Sequence, residues 1–79
     1  MTREEILSTI SSVFADTLDE ENVTLTEATT ADDVEGWDSL THVQLVVAVE
    51  KKFKIRFSAK EIQSWKNVGE MIDSISSKI

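Results

Sequence analysis

Apolar residues recur at helical spacing over the first part of the chain. Thr2 and Glu5 form a capping-box pattern, in which each side chain accepts a hydrogen bond from the other residue's backbone amide. The apolar positions that follow repeat every three or four residues and comprise Ile6, Ile10, Val13, Phe14 and Leu18. This spacing predicts an amphipathic helix over residues 3–17, with one face turned toward a core.

A second helix is predicted over residues 39–53, and its apolar residues fall on two opposed stripes. At about 100° per residue, one stripe holds Leu40, Val43 and Val47, and the other comprises Leu45, Val46, Val49 and Phe53. A helix with two apolar sides is either buried all round or used for two purposes. Because 79 residues leave little material to cover both sides, we assign the second stripe to the core and the first to a partner surface. The competing interpretation buries both stripes.

Two shorter helices are predicted near the end of the chain, over residues 58–64 and 67–78. Each begins with a capping pattern, formed by the pairs Ser58 with Glu61 and Asn67 with Glu70. The connection over residues 19–37 is rich in Thr, Asp and Glu, and we expect its apolar members to pin it to the helices: Val23, Leu25 and Val34. We therefore predict an all-α fold, a small bundle of three main helices plus one short helix, in a single domain over residues 1–79.

Composition and charge limit the kinds of partner and the chemistry that this chain can have. Net charge is −7, and residues 1–50 hold twelve acids against one base, whereas residues 51–79 hold three acids against seven bases. This balance disfavours nucleic acid as a partner and fits both simple solubility and weak, steered encounters with basic protein surfaces. Cysteine is absent, so any thioester chemistry must use a thiol from another molecule or group. The longest apolar run, residues 45–49, is too short to span a bilayer, and we expect a monomeric cytoplasmic protein with no secretion signal and no stable membrane insertion.

The run Gly36-Trp37-Asp38-Ser39-Leu40 joins the acidic connection to the most apolar helix. Gly36 permits a backbone turn that other residues resist, and Asp38 is a favourable N-cap residue. Ser39 then lies in the first helical turn, where unpaired amides and the helix dipole favour a bound phosphate or other anion. The pattern predicts an exposed hydroxyl on a rigid element, placed to carry a phosphate through its own oxygen.

Two catalytic or metal-binding interpretations of the same region fail on residue type. Aligning Gly36 with the glycine of a calcium-binding EF-hand loop puts Ala31 and His42 where Asp and Glu are required. The acidic cluster of Asp32, Asp33 and Glu35 is interpreted as solvated charge, and no metal site is predicted. His42 follows Ser39 by three residues, but no oxyanion-hole or nucleophile-elbow pattern accompanies the pair. We expect a packed or hydrogen-bonded histidine and no catalytic residues.

The Asp38-Ser39-Leu40 run resembles the Asp-Ser-Leu motif of the acyl carrier protein family. The resemblance covers almost the whole chain: a first helix, a long acidic loop, the motif helix, and a continuation through Phe53 and Phe57 into two short helices. It implies that a phosphopantetheinyl transferase attaches a 4'-phosphopantetheine arm from coenzyme A to Ser39. The arm's thiol then holds an acyl group as a thioester. Acyl-loading enzymes form this thioester, and acyl-transferring enzymes use it as their substrate.

The resemblance also implies which residues serve the arm and the partners. Asp38, Leu40 and Phe57 are expected beside the arm, and the partner surface is expected to hold Leu40, Val43, Val47 and Glu50. The family's fold has a central cavity for the acyl chain, which here is expected to be lined by Phe14, Val46, Val49, Phe57, Trp65 and Ile72.

The chain departs from the common family pattern along its second helix. Thr41, Gln44 and Lys51 stand where fatty-acid carriers usually have acids, and a basic cluster follows, formed by Lys51, Lys52, Lys54 and Arg56. We therefore predict a carrier dedicated to a specialised pathway, such as polyketide, modified-lipid or cell-envelope assembly. Two alternatives stay open: an aminoacyl carrier of the peptidyl or D-alanyl type, and a helical interaction module that is never modified.

Overall fold

The computed structural model describes residues 1–20, 23–34 and 36–79. Within these ranges the chain forms four α-helices and one short 3-10 helix, with no strand. The helices are α1 (Arg3–Leu18), α2 (Ser39–Phe53), α3 (Ala59–Ser64) and α4 (Val68–Ser76), and the 3-10 helix spans Ala31–Asp33. The predicted all-α bundle of three main helices and one short helix is confirmed.

The predicted capping boxes form at the starts of α1 and α3. At α4 only half of the predicted pair forms, because Asn67 accepts from the Glu70 amide whereas the Glu70 carboxylate accepts from the Lys66 amide. The Thr2 hydroxyl accepts from the Glu5 amide at 3.2 Å, and the Glu5 carboxylate accepts from the Thr2 amide at 2.9 Å. Ser58 and Glu61 form the same reciprocal pair at the start of α3. Helix α4 begins one residue later and ends two residues earlier than predicted, because Asn67 and Ser77 are its caps.

The core lies where α1 packs against α2 and α4. Side chains with no exposed surface come from all three helices and include Ile6, Ile10, Phe14, Leu45, Val49, Val68, Ile72 and Ile75. Helix α3 packs only at the edge, against α4, and none of its residues is fully buried. The thin core therefore leaves one side of α2 without a covering helix.

The connection between α1 and α2 is bound to the core and to the start of α4. Leu25 is buried and Val23 and Val34 pack against the core, as predicted. The backbone of the connection also accepts from the first turn of α4, through Val68 N to Thr29 O at 2.9 Å and Gly69 N to Glu27 O at 2.8 Å. This anchoring fixes the route by which the chain returns to Ser39.

Arg3 ties the start of α1 to the same place. Its guanidinium donates to Glu27 Oε1 at 2.5 Å and to Asp73 Oδ1 at 2.6 Å, and more weakly to the Gly69 carbonyl at 3.3 Å. These side chains are exposed, so solvent screens much of their charge. The network serves chiefly to hold the connection against α4.

Candidate functional site

Ser39 is the first residue of α2, and it is exposed. Asp38 precedes it as the N-cap, with the carboxylate accepting from Leu40 N at 3.0 Å and Thr41 N at 2.9 Å. These hydrogen bonds, led by the one from the Thr41 amide, hold the pKa of Asp38 below its ordinary value. The carboxylate is thus ionised and held in place at the residue directly before Ser39.

The Asp38 carboxylate occupies the N-terminus of α2, where the sequence predicts a bound phosphate. Two of the amides that the sequence analysis offered to a phosphate are bound by Asp38 itself. The chain has therefore supplied its own anion to the N-terminus of α2. These two amides are therefore not free to hold a phosphate, and Ser39 remains exposed beside them.

Thr41 completes the turn and was not recognised as a site residue from the sequence. Its hydroxyl donates to the Gly36 carbonyl at 2.6 Å and accepts from the Asp38 amide at 2.8 Å. Gly36 has a φ of 88°, a conformation that L side chains rarely adopt. The glycine and the threonine together set the direction in which the chain enters α2.

The two stripes of α2 are divided as predicted. Leu40, Val43 and Val47 are 71%, 61% and 41% exposed, whereas Leu45 and Val49 are fully buried. Val46 is nearly buried and Phe53 packs at the edge of the core. An apolar face of this kind, unpaired on a small helical bundle, is typical of a surface that other proteins contact. It begins at the residue next to Ser39.

A groove runs beside the exposed stripe. It has a volume of about 420 Å³ and is lined by Val43, Val46, Val47, Glu50, Arg56, Phe57 and Ile62. Of the six residues expected around an acyl chain, only Val46 and Phe57 line this groove. The prediction is wrong for Phe14, Val49 and Ile72, which are packed in the core. Trp65 packs against Phe57 and lines a separate small pocket with Trp37 and His42. Ile62 was not recognised from the sequence, because its place depends on how α3 lies against the bundle.

Glu50 and Phe57, two residues that line the groove, are joined to each other. The Glu50 carboxylate accepts from the Phe57 backbone amide at 2.8 Å, and the Phe57 ring meets Trp65 edge to face, with centroids 4.8 Å apart. Glu50 is therefore half-buried and engaged within the chain. Its expected place on the partner surface stays a prediction, since part of its hydrogen-bonding capacity is used internally.

His42 lies between the two tryptophans. Its Nδ1 accepts from Trp37 Nε1 at 3.0 Å, and the two rings lie 19° from parallel with centroids 6.0 Å apart. Trp65 approaches the His42 ring edge on, at 6.3 Å between centroids. Burial lowers the pKa of His42 from its ordinary value of 6.5. The expected packed, hydrogen-bonded histidine is confirmed.

The basic cluster of Lys51, Lys52, Lys54 and Arg56 is exposed at the far end of α2. In the described part of the chain the ion pairs are formed by other cations, Arg3 and Lys78. The cluster borders a second open pocket, lined by Val47, Glu50, Lys51, Lys54, Ile55 and Arg56. Its charges are thus available to a partner that approaches along α2.

The described residues form neither a metal site nor a membrane-spanning helix. Among residues 1–20, 23–34 and 36–79, no three side chains of His, Asp or Glu lie together as a metal site. Asp33 caps the 3-10 helix by accepting from the Thr30 amide at 3.0 Å, whereas Glu35 of the predicted acidic cluster lies outside the described residues. None of the described helices combines the length and apolarity needed to cross a bilayer.

Comparison with known proteins identifies the class of site. Residues 8–75 match the family described as having a phosphopantetheine attachment site. The chain is 35% identical over 81 aligned positions to an acyl carrier protein of Thermosynechococcus vestitus, covering 100% of this chain and 98% of the relative. It is 33% identical to an acyl carrier protein of Petrotoga mobilis, covering 100% and 93%.

Solved structures agree with the sequence comparison. The solution structure of a holo acyl carrier protein from Geobacter metallireducens superposes with a TM-score of 0.86 and 37% identity, covering 92% of this chain and 84% of that one. An acyl carrier protein from Enterococcus faecalis gives a TM-score of 0.73 and 28% identity, covering 100% of both chains.

The fold and the site therefore define a phosphopantetheine-dependent carrier. The chain belongs to the acyl carrier protein family. Its prosthetic group is 4'-phosphopantetheine, and its function is to carry acyl groups on that arm. The residues present fit such an arm, since an exposed serine adjoins an exposed apolar stripe and an open, largely apolar groove.

Proposed function

We propose that the arm is attached to the Ser39 hydroxyl and that this chain serves as the substrate of other enzymes. The observation that carries the proposal is the position of Ser39, exposed at the first residue of α2 and next to the uncovered apolar stripe. When bound, the arm supplies the thiol on which acyl groups are held as thioesters. This chain has no Cys of its own, so the thiol must come with the arm.

Asp38 orients the attachment site in this proposal. Its carboxylate fixes the first turn of α2 through the Leu40 and Thr41 amides. Because Asp38 is already committed to those amides, it acts as a positioning group. A basic group of the transferase accepts the proton of the Ser39 hydroxyl. The chain is thus proposed to be non-catalytic.

The partner surface is proposed to centre on Leu40, Val43 and Val47. These side chains are exposed in a row along α2 from Ser39 toward the basic cluster. Docking there would place a phosphopantetheinyl transferase or an acyl-transferring enzyme directly over the serine. Leu40 and Phe57 would then lie on the two sides of the arm, with Glu50 lining the groove beside Phe57.

The proposed pathway is specialised, and the proposed cargo is acyl. Glu50 is the only acid within α2, and its carboxylate is engaged with the Phe57 amide. A partner that docks on α2 would therefore contact the apolar stripe and the basic cluster. It would depend less on attraction to acids along α2 than a partner of a fatty-acid carrier does. The mostly aliphatic and aromatic lining of the groove favours an acyl group over an aminoacyl group. We propose the cytoplasm as the compartment.

The test is modification followed by mass measurement. Wild-type protein is incubated with coenzyme A and a phosphopantetheinyl transferase, and its intact mass is expected to rise by one phosphopantetheinyl group. Ser39→Ala is expected to stay at its starting mass. Ser12→Ala, which removes another exposed helical serine, is expected to be modified like the wild type.

Two results would count against the proposal. If Ser39→Ala still gains the group, another side chain is the attachment point. If the wild-type protein stays bare with several transferases that modify a control carrier, attachment to this chain fails altogether. Loading the modified protein with fatty-acyl and aminoacyl adenylating enzymes then separates the two kinds of cargo, because only the matching enzyme would charge it efficiently.

A further inference from the structure

The tryptophan before Asp38 and the histidine after it are joined across the start of α2. Trp37 donates its indole N–H to Nδ1 of His42 at 3.0 Å, and the two rings lie 19° from parallel. Trp37 is only 9% exposed and meets Phe14 of α1 edge to face, with centroids 4.9 Å apart. The contact therefore connects the segment before Ser39 to both α2 and the core.

A second bond spans the same turn. The Thr41 hydroxyl donates to the Gly36 carbonyl at 2.6 Å. Two consecutive residues of α2, Thr41 and His42, thus reach back to two consecutive residues before its N-cap, Gly36 and Trp37. Ser39 lies within the turn that these two bonds enclose.

We propose that Trp37 and His42 are positioning residues for modification of Ser39, and that their hydrogen bond makes the ordering of the Ser39 turn dependent on pH. The inference rests on the proposed attachment at Ser39. His42 touches neither the serine nor the reacting phosphate in this proposal. It acts by holding Trp37, and Trp37 holds the entry to α2 against the core.

The dependence on pH follows from the direction of the bond. An imidazole nitrogen that accepts from an indole N–H carries no proton, so neutral His42 is the form that makes this bond. Protonation puts a second N–H opposite the indole N–H and removes the acceptor. The Thr41 to Gly36 bond has no titrating partner, so protonation releases one of the two restraints and leaves the other.

The surroundings of His42 leave the neutral form favoured. Burial lowers the pKa of His42 below its ordinary 6.5, and no carboxylate of the described residues forms an ion pair with the ring. The elements around the His42 ring also carry charged residues. These are Asp38 at the N-cap of α2, Asp32 and Asp33 of the 3-10 helix, and Lys66 and Glu70 beside Trp65. The pKa of Asp38 is itself lowered from its ordinary 3.8 by its hydrogen bonds, led by the one from the Thr41 amide.

The first experiment measures the turn itself in the unmodified protein. The indole and backbone amide signals are followed by ¹H–¹⁵N NMR from pH 8 to pH 5 at about half-unit steps, with the histidine titrated in parallel. The Trp37 indole and the Asp38 and Ser39 amides are expected to shift together with the His42 midpoint, which lies below 6.5. Trp65, whose indole donates to Ser74 Oγ at 2.8 Å, is the internal comparison and is expected to shift less.

Three variants separate the pair from the rest of the turn. His42→Asn places a neutral acceptor near the position of Nδ1 and is expected to keep the Trp37 indole shift constant over the pH range. His42→Leu removes the acceptor and is expected to hold the indole in its released state at every pH. Thr41→Val removes the bond that does not titrate and is expected to preserve the His42-dependent shift.

The second experiment measures phosphopantetheine transfer. The kcat/KM of each variant is divided by that of the wild type at each pH, so the transferase's own pH dependence cancels. A lost hydrogen bond to a positioning group corresponds to about a threefold to tenfold slower transfer. His42→Leu is expected to show that loss near pH 8 and to approach the wild type as the pH falls below the His42 midpoint. His42→Asn is expected to exceed the wild type at low pH, and Thr41→Val to show a ratio that does not vary with pH.

The results that overturn the inference differ from those that overturn attachment. The positioning role is refuted if the Trp37 indole signal does not change as His42 titrates. It is also refuted if the kcat/KM of His42→Leu relative to the wild type is constant with pH, even when Ser39 is modified normally. A wild-type protein that shows the NMR response but is never modified would instead contradict the attachment proposal. If His42→Leu does not fold, the comparison of His42→Asn with the wild type still decides the matter.

Discussion

Replacing Val43 with Glu tests whether α2 serves two purposes. Val43 is 61% exposed, and complete burial of a valine stabilises a fold by about 1.5–3 kcal/mol. The buried remainder is therefore worth roughly 1 kcal/mol at most, and the methylenes of Glu retain part of it. We expect Val43→Glu to change the free energy of unfolding by no more than about 0.5 kcal/mol.

Val49 on the opposite stripe supplies the comparison. It is fully buried, so Val49→Ala removes two methyl groups from a packed site and leaves a cavity. The expected cost is about 2–3 kcal/mol, which lowers the melting temperature of so small a chain by roughly 10–20 °C. The two valines on one helix should thus differ several-fold in their effect on stability.

The assay combines urea unfolding, followed by circular dichroism at 222 nm, with the kcat/KM of phosphopantetheine transfer. A residue that dominates a contact surface costs more than about 1 kcal/mol when it is changed, which corresponds to a loss of kcat/KM of about fivefold or more. Ser12→Glu adds the same charge to an exposed position of α1 and is expected to leave transfer near the wild-type rate.

Two results would refute the reasoning. A loss of stability above about 1.5 kcal/mol in Val43→Glu would mean that the first stripe is also core, as in the interpretation that buries both sides. A stable Val43→Glu with full transfer and full turnover by acyl-loading enzymes would mean that the stripe is exposed but does not serve as a docking surface.

Two further predictions concern the parts of the chain that place the site. Gly69→Ala should destabilise by about 1–3 kcal/mol in thermal melts, since a Cβ would lie 2.9 Å from the Glu27 carbonyl; a neutral or stabilising result, as helix propensity alone predicts, would contradict that close approach. Asp38 should titrate below its ordinary 3.8 in carboxyl NMR. Its contribution to stability is then complete above pH 3.8 and is lost as the pH falls through the lower folded-state pKa, and Asp38→Asn, which keeps an acceptor, should remove that acid-dependent loss.

Interactions between near neighbours in the sequence could be predicted without the structure. The pairs Thr2 with Glu5 and Ser58 with Glu61 are three residues apart, so their bonds depend only on the local helical turn. The stripes of α2 follow from the helical period in the same way. Deciding which stripe is core required one further argument, the shortage of chain to cover both, and the burial of Leu45 and Val49 confirms it.

Interactions between distant residues could not be predicted in this way. Arg3 binds Glu27 and Asp73, which are 24 and 70 residues away, and no spacing rule relates such positions. The approach of Gly69 to Glu27 likewise depends on the path of the connection. The sequence predicts an acidic loop for the long connection, whereas its backbone forms hydrogen bonds that fix α4 against it.

The tryptophan of the motif run shows why a side chain's destination is harder to predict than its element. Trp37 directly precedes an N-cap, where an exposed position would be ordinary, yet its ring is inserted between Phe14 and His42. His42 and Thr41 could be placed on α2 from the sequence, but their partners could not, because both bonds run backward across the turn to Trp37 and Gly36. A carrier must expose one atom while its base stays rigid. Here the Trp37–His42 and Thr41–Gly36 hydrogen bonds close the turn that holds Ser39, so the residues that fix this turn lie on either side of the serine and outside its three-residue motif.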